Sequence, residues 1–150
     1  MIKEIVHVGI TVSNMDESLK FYQDILDLKL VGEIMMEGKE SDLLFGRSGV
    51  KARVCYLNGS DKINTPPVEL ICFLDEESKK DPASLFKTSI SEICFNVEDI
   101  DQTYKTLIEN HVECLSEPQY FDFTPFGFSK SKALYFKDPD GIILELIQTL

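Results

Sequence analysis

Residues 7 to 22 and 92 to 107 follow one pattern at a constant spacing of 85. His7 answers to Glu92, Met15 to Ile100, Asp16 to Asp101, Leu19 to Tyr104 and Tyr22 to Leu107. A strand and a helix repeated in register restrict the chain to architectures that use one supersecondary unit twice. The ends of the halves repeat as well, "VELI" with Glu69 and "LELI" with Glu145, at a spacing of 76 because the intervening loops differ in length. A chain of 150 residues accommodates one ordinary domain, or two small modules sharing a core.

Each half reads as βαβββ. "IVHVGITV" (5–12) alternates and is rich in β-branched residues, which predicts a strand. Ser13 or Asn14 then caps a helix with apolar positions at Met15, Leu19, Tyr22 and Leu26 and acidic residues in its first turn. Strands are expected at "LKLVGEIMM", "KARVCYL" (51–57) and "VELICF" (68–73), the last two joined by the turn-rich "NGSDKINTPP". The polar stretch running to Gly49 takes no assignment. A charged linker, "DEESKKDPASLFKTS" (75–89), precedes the restart. The second half supplies a strand at 90–97, a helix at 98–110 with Asn110 as a left-handed cap, and a short strand "VECL" (112–115). Two final strands, 132–137 and 142–149, are joined by the "DPDG" turn. The modules are expected at about 1–74 and 89–150 of a single α+β domain.

Charge and composition exclude some partners. With 15 basic and 26 acidic residues the chain carries −11, a field that repels nucleic acid and anionic membrane surfaces. No run approaches a bilayer span and the start lacks the features of a secretory leader, so a cytoplasmic protein is expected. Cys55, Cys72, Cys94 and Cys114 form no C-x-x-C pair and have no neighbouring histidine, and are expected as reduced, buried small hydrophobes.

Strand parity then shows where the polar residues point, since successive side chains alternate between sheet faces. Val6, Val8, Ile10 and Val12 form one face and leave His7 on the other. Ile93, Phe95 and Val97 oppose Glu92, Cys94 and Asn96. Val68, Leu70 and Cys72 oppose Glu69, and Ile142, Leu144 and Leu146 oppose Glu145. A carboxylate among apolar residues is costly unless paired, coordinated or protonated. Taken singly, His7 reads as a hydrogen-bonded histidine and each glutamate as a solvent-facing strand residue. Taken jointly, at matching parity and repeat register, His7, Glu69 and Glu145 read as ligands of a divalent cation, and Glu92 is left open between the two readings. One imidazole and three carboxylates form a hard, oxygen-rich set suited to Mn, Fe, Co, Ni or Zn.

The stretches "HVGITVSNMDESLKFYQDILDLKLV", "EICFNVEDIDQTYKTLIENHVE" and "YFKDPDGIILEL" resemble the vicinal oxygen chelate superfamily, which includes glyoxalase I, methylmalonyl-CoA epimerase, bleomycin and fosfomycin resistance proteins and extradiol dioxygenases. The resemblance implies paired βαβββ modules forming a cleft, a divalent metal held by the first and last strands of each module, a small-molecule substrate and a homodimer. Its glyoxalase-like ligand order is His, Glu, His, Glu. His7, Glu69 and Glu145 match, and Glu92 stands where the second histidine would be.

The chemistry so implied is a lyase or isomerase reaction on a small oxygenated or thiol-conjugated substrate. The metal polarises a carbonyl, and Glu145, or failing it Glu69, moves a proton. Arg53 stands where the epimerase carries a further glutamate and could grip an anionic substrate group, which disfavours the epimerase. The missing histidine argues against the dioxygenases and fosfomycin thiol transferases. A noncatalytic binding or resistance protein on the same fold is the alternative. "PQYFDFTPFGF" (118–128), expected between strands, offers Tyr120, Phe123, Phe126 and Phe128 to line a substrate cleft, or to form an apolar satellite cluster or dimer contact. His111 is expected in solvent.

Overall fold

A computed structural model describes residues 3–60, 66–75, 80–81 and 83–150. Parts of the expected linker (76–79 and 82) and of the loop at 58–67 (61–65) lie outside these described residues. The chain divides into two compact units, Met1–Lys80 and Asp81–Leu150.

The first unit runs β1 (Val8–Thr11), α1 (Met15–Lys20), β2 (Lys29–Glu37), α2 (Lys39–Phe45), β3 (Lys51–Asn58) and β4 (Val68–Phe73). Its sheet has the order β1-β4-β3-β2, with β1 parallel to β4 and the remaining neighbours antiparallel. Asn14 caps α1, accepting from the backbone of Asp16 and Glu17 at 3.1 Å each. The helix then widens into a π-helical turn over Phe21–Ile25, which buries Phe21 and Tyr22. The stretch left without assignment contains α2, stopped at Gly46 by a left-handed φ of 66° that glycine adopts without penalty. Cys55, Leu57, Val68, Leu70 and Cys72 are buried on one face of the sheet, and α1 lies against β4. On the other face Val50, Ala52 and Val54 are covered by Met36, Phe45, Tyr56, Ile71 and Phe73.

The second unit runs β5 (Ile93–Asn96), α3 (Ile100–Glu109), β6 (Gln119–Asp122), β7 (Lys130–Lys137) and β8 (Ile143–Thr149), in the sheet order β5-β8-β7-β6. The fold is therefore α+β, built from two four-stranded mixed sheets, each on a βαβββ plan, with α2 inserted between β2 and β3 in the first. The expected strand at 112–115 is reduced to a bridge from Cys114 to Phe136, and the second strand of this module is β6, inside the aromatic stretch. The segment 113–122 does follow one edge of β7: Lys137 donates to Glu113, Leu115 donates to Tyr135, and Gln119 pairs with Ala133. The chain bends at 115–117, and the ladder resumes at Gln119 with its register shifted by two residues. Asp99 caps α3 through the amide of Gln102. The left-handed residue at its end is His111 (φ 59°), exposed as expected, and not Asn110 (φ −94°).

A second repeat ties each helix to its sheet. Arg53 on β3 binds Asp16 of α1 at 2.6 Å, and Lys132 on β7 binds Asp101 of α3. Asp16 and Asp101 are 85 apart, and Arg53 and Lys132 are 79 apart, as are Tyr56 and Tyr135.

Replacing the α1 cap, Asn14→Ala, should lower stability by about 1 kcal/mol, because it orphans two helix-terminal amides. Urea unfolding followed by circular dichroism checks this.

Candidate functional site

Glu69 occupies β4, a strand with neighbours on both sides. Gly9 of β1 stands across from it in the parallel register and Tyr56 of β3 in the antiparallel one. Cross-strand partners share a face, so all three belong to the side away from α1. Glu69 is only 8% exposed, and both of its oxygens are engaged. The Tyr56 hydroxyl donates to Oε1 at 2.6 Å, while His7 Nε2 stands 3.3 Å from Oε2. The His7 and Tyr56 rings meet edge-on with centroids 6.0 Å apart. A Cβ at Gly9 would lie 3.2 Å from Glu69 Oε2, so a residue without a side chain is what lets the carboxylate lie there. The hydrogen bond to Glu69, then burial, then the carboxylate charge push the Tyr56 phenol up to about 12.

In the second unit Glu145 occupies the equivalent strand, β8, between Cys94 of β5 and Tyr135 of β7. Glu145 is half-buried and Cys94 is exposed. Burial, a hydrogen bond to Glu145, and the charges of Glu145 and Glu92 push the Cys94 thiol up to about 12. Burial raises the Tyr135 phenol too, followed by the same two carboxylate charges and Cys94. Glu92, half-buried just ahead of β5, therefore acts on the same side chains as Glu145. The expectation of four buried thiols holds for Cys55 and Cys72. It is corrected for Cys94, which is exposed, and for Cys114, which is half-buried. Parity had already put Cys94 on the Glu92 face.

Not every candidate gathers at these glutamates. Arg53 projects from the α1 side of its sheet, opposite to Tyr56 and Glu69, and is held by Asp16 at 2.6 Å and by Glu33 at 2.7 Å. These carboxylates raise its pKa and occupy its fork of donors. Tyr120 pairs with Lys132 and so shares the α3 side of the second sheet. Phe121, across from Ser131, takes the Glu145 side and stacks on Phe123 with centroids 5.4 Å apart. Phe126 and Phe128 are three-quarters exposed in the turn that follows β6. Tyr56, Tyr135, Cys94 and Phe121 were not among the sequence candidates. The 79-residue spacing of the two tyrosines was the available sign.

The donor chemistry can be set against a cation. Among the described residues, no group of three or more His, Cys, Asp and Glu side chains is arranged to hold a metal ion. The first module offers a two-donor bite, one imidazole nitrogen and one carboxylate oxygen 3.3 Å apart. Adjacent ligands at about 2.1 Å on an octahedral ion stand about 3 Å apart. The bite fits such an ion.

A family model described as the glyoxalase/bleomycin resistance protein/dioxygenase superfamily matches residues 4–146. The metallothiol transferase FosB of Staphylococcus epidermidis is 32% identical over 148 residues, 97% of this chain and 84% of that protein. A probable lactoylglutathione lyase of Synechocystis is 25% identical over 145 residues, covering 97% of this chain and 95% of the other. Among solved structures, a glyoxalase family protein from Bacillus cereus aligns with a TM-score of 0.85 at 21% identity, over 100% of this chain and 96% of that one. Sequence likeness does not follow the ranking that set thiol transferases aside for want of a histidine.

The raised pKa values of Cys94 and Tyr56 have the same consequence for stability. A group whose folded pKa lies above its unfolded value contributes fully below the unfolded pKa, and that contribution is lost as pH rises toward the folded one. Cys94, from 9.0 to about 12, and Tyr56, from 10.0 to about 12, should make the thermal midpoint fall between pH 9 and 12. In Cys94→Ala and Tyr56→Phe, scanning calorimetry across that range should find a shallower fall.

Proposed function

Because this chain belongs to the glyoxalase/bleomycin resistance protein/dioxygenase superfamily, we propose that it is a metal-dependent lyase or isomerase of the glyoxalase type, acting on a small oxygenated or thiol-conjugated substrate. The observation that carries the reading is the bite of His7 and Glu69, at 3.3 Å, beside a phenol that holds the carboxylate in place. The donor set is His7, Glu69 and Glu145, with Glu92 in the place of a second histidine. A divalent ion held by these residues would supply Lewis acidity to a substrate carbonyl.

The residues divide the remaining work. Glu69, engaged at both oxygens and buried, serves as a fixed anchor. Glu145 is half-buried, between Cys94 and Tyr135 of the neighbouring strands. It is the better base: it takes the proton from the carbon beside the carbonyl and returns it to the neighbouring carbon, leaving the enzyme unchanged. The third carboxylate, Glu92, adds negative charge around the cation and lowers its power to polarise a carbonyl. That slows the chemistry relative to a site with two histidines.

A second reading, transfer of a thiol to a small electrophile, is favoured by the 32% identity to the metallothiol transferase. It uses the same donors with Glu145 or Glu92 taking the thiol proton.

Protein purified without chelator or nickel resin should carry a stoichiometric divalent ion, removable by EDTA with a fall in thermal midpoint and lost in Glu145→Gln. A metal-free protein whose stability ignores EDTA would sink the reading. Restoring the histidine, Glu92→His, should tighten metal binding by about tenfold, ~1.4 kcal/mol, in a competitive chelator titration. Unchanged affinity would remove Glu92 from the ligand set.

A further inference from the structure

We infer that Tyr56 is a positioning residue for Glu69, holding one carboxylate oxygen so that the other faces His7 as a single-oxygen donor. The inference rests on the metal-centre reading above and deepens it, since it says how Glu69 would meet the cation. A carboxylate can meet a cation with one oxygen or with both. At Glu69 the choice is made by the surroundings. Oε1 accepts the Tyr56 hydroxyl at 2.6 Å, and Oε2 stands 3.3 Å from His7 Nε2. The absent side chain at Gly9 leaves Oε2 its place, since a Cβ would come within 3.2 Å of it.

Tyr56 is itself fixed, as the cross-strand partner of Glu69 and as part of the apolar cluster around Val50, Ala52 and Val54. Its ring meets the edge of the His7 imidazole, so one side chain bounds both donors of the bite. The repeat supplies an internal control. Tyr135 holds the equivalent position opposite Glu145, which has Cys94 on its other neighbouring strand and is half-buried. The same glutamate position is therefore buried against a phenol hydroxyl in one module and half-buried in the other.

The test is a Co(II) titration of the metal-free full-length protein, read by visible absorption. Tyr56→Phe should weaken Co(II) about 10- to 100-fold, the usual effect of losing a group that orients a ligand. Its ligand-field band should also change as Glu69 turns to offer both oxygens. Glu69→Gln should weaken Co(II) too, and the double variant should bind no more weakly than Glu69→Gln alone. Gly9→Ala, which leaves the phenol intact and crowds Oε2, should also weaken Co(II), and it stands in if Tyr56→Phe does not fold.

Wild-type affinity and spectrum in Tyr56→Phe, or additive losses in the double variant, would overturn the positioning role while the metal centre stood. Failure of the wild-type chain to take up Co(II) would overturn both.

Discussion

Everything in this molecule turns on a glutamate placed in a strand that has a hydrogen-bonded neighbour on each side. In such a strand the residues before and after the carboxylate point into an apolar layer, and the carboxylate cannot be moved to the solvent edge without slipping the register of both neighbours. Leu70 and Val68 flank Glu69, and Leu144 and Leu146 flank Glu145, all buried. The hydrophobic side of the strand thus fixes the position of the polar side. Burial of a charge becomes tolerable because the neighbouring strands bring partners to it: Tyr56 and Gly9 in one module, Cys94 and Tyr135 in the other.

The two modules are the same solution with different chemistry at the equivalent positions. Each caps its helix with a short polar side chain, Asn14 or Asp99, and clamps that helix to the third strand with a cation, Arg53 or Lys132. Those features belong to the side facing the helix and hold the scaffold. On the opposite side the repeat is broken: His7 is answered by Glu92, and Gly9 by Cys94. Keeping the scaffold while varying the side away from the helix leaves one module with an imidazole and a carboxylate and the other with two carboxylates and a thiol.

Much of this was legible in the residues because period-two alternation and the 85-residue spacing are properties of the chain itself. Parity placed His7, Glu69, Glu92 and Glu145 on the faces away from the helices. What could not be read was the relation between strands distant in sequence. Tyr56 reaches Glu69 only through the antiparallel register of β3 and β4, and Arg53 loses its role as a free cation only once Asp16 and Glu33 are seen beside it. The aromatic stretch looked like a loop because its proline and glycine dominate, although Gln119–Asp122 pairs with β7. Aromatic residues suit a pleated surface, and the tertiary partner outweighed the local turn composition.

The interruption ahead of β6 has a further consequence. β6 ends its sheet and carries Tyr120 and Phe121, both exposed, a combination that invites another chain to add a strand. A continuous partner for β7 from residue 113 to 122 would present a long, flat, aromatic edge. Broken by the bends at 115–117 and resumed two residues out of register, it offers only four residues of ladder, beside the ion pair of Lys130 and Asp122. A shorter edge gives a second chain less to pair with while strand edges stand open during synthesis.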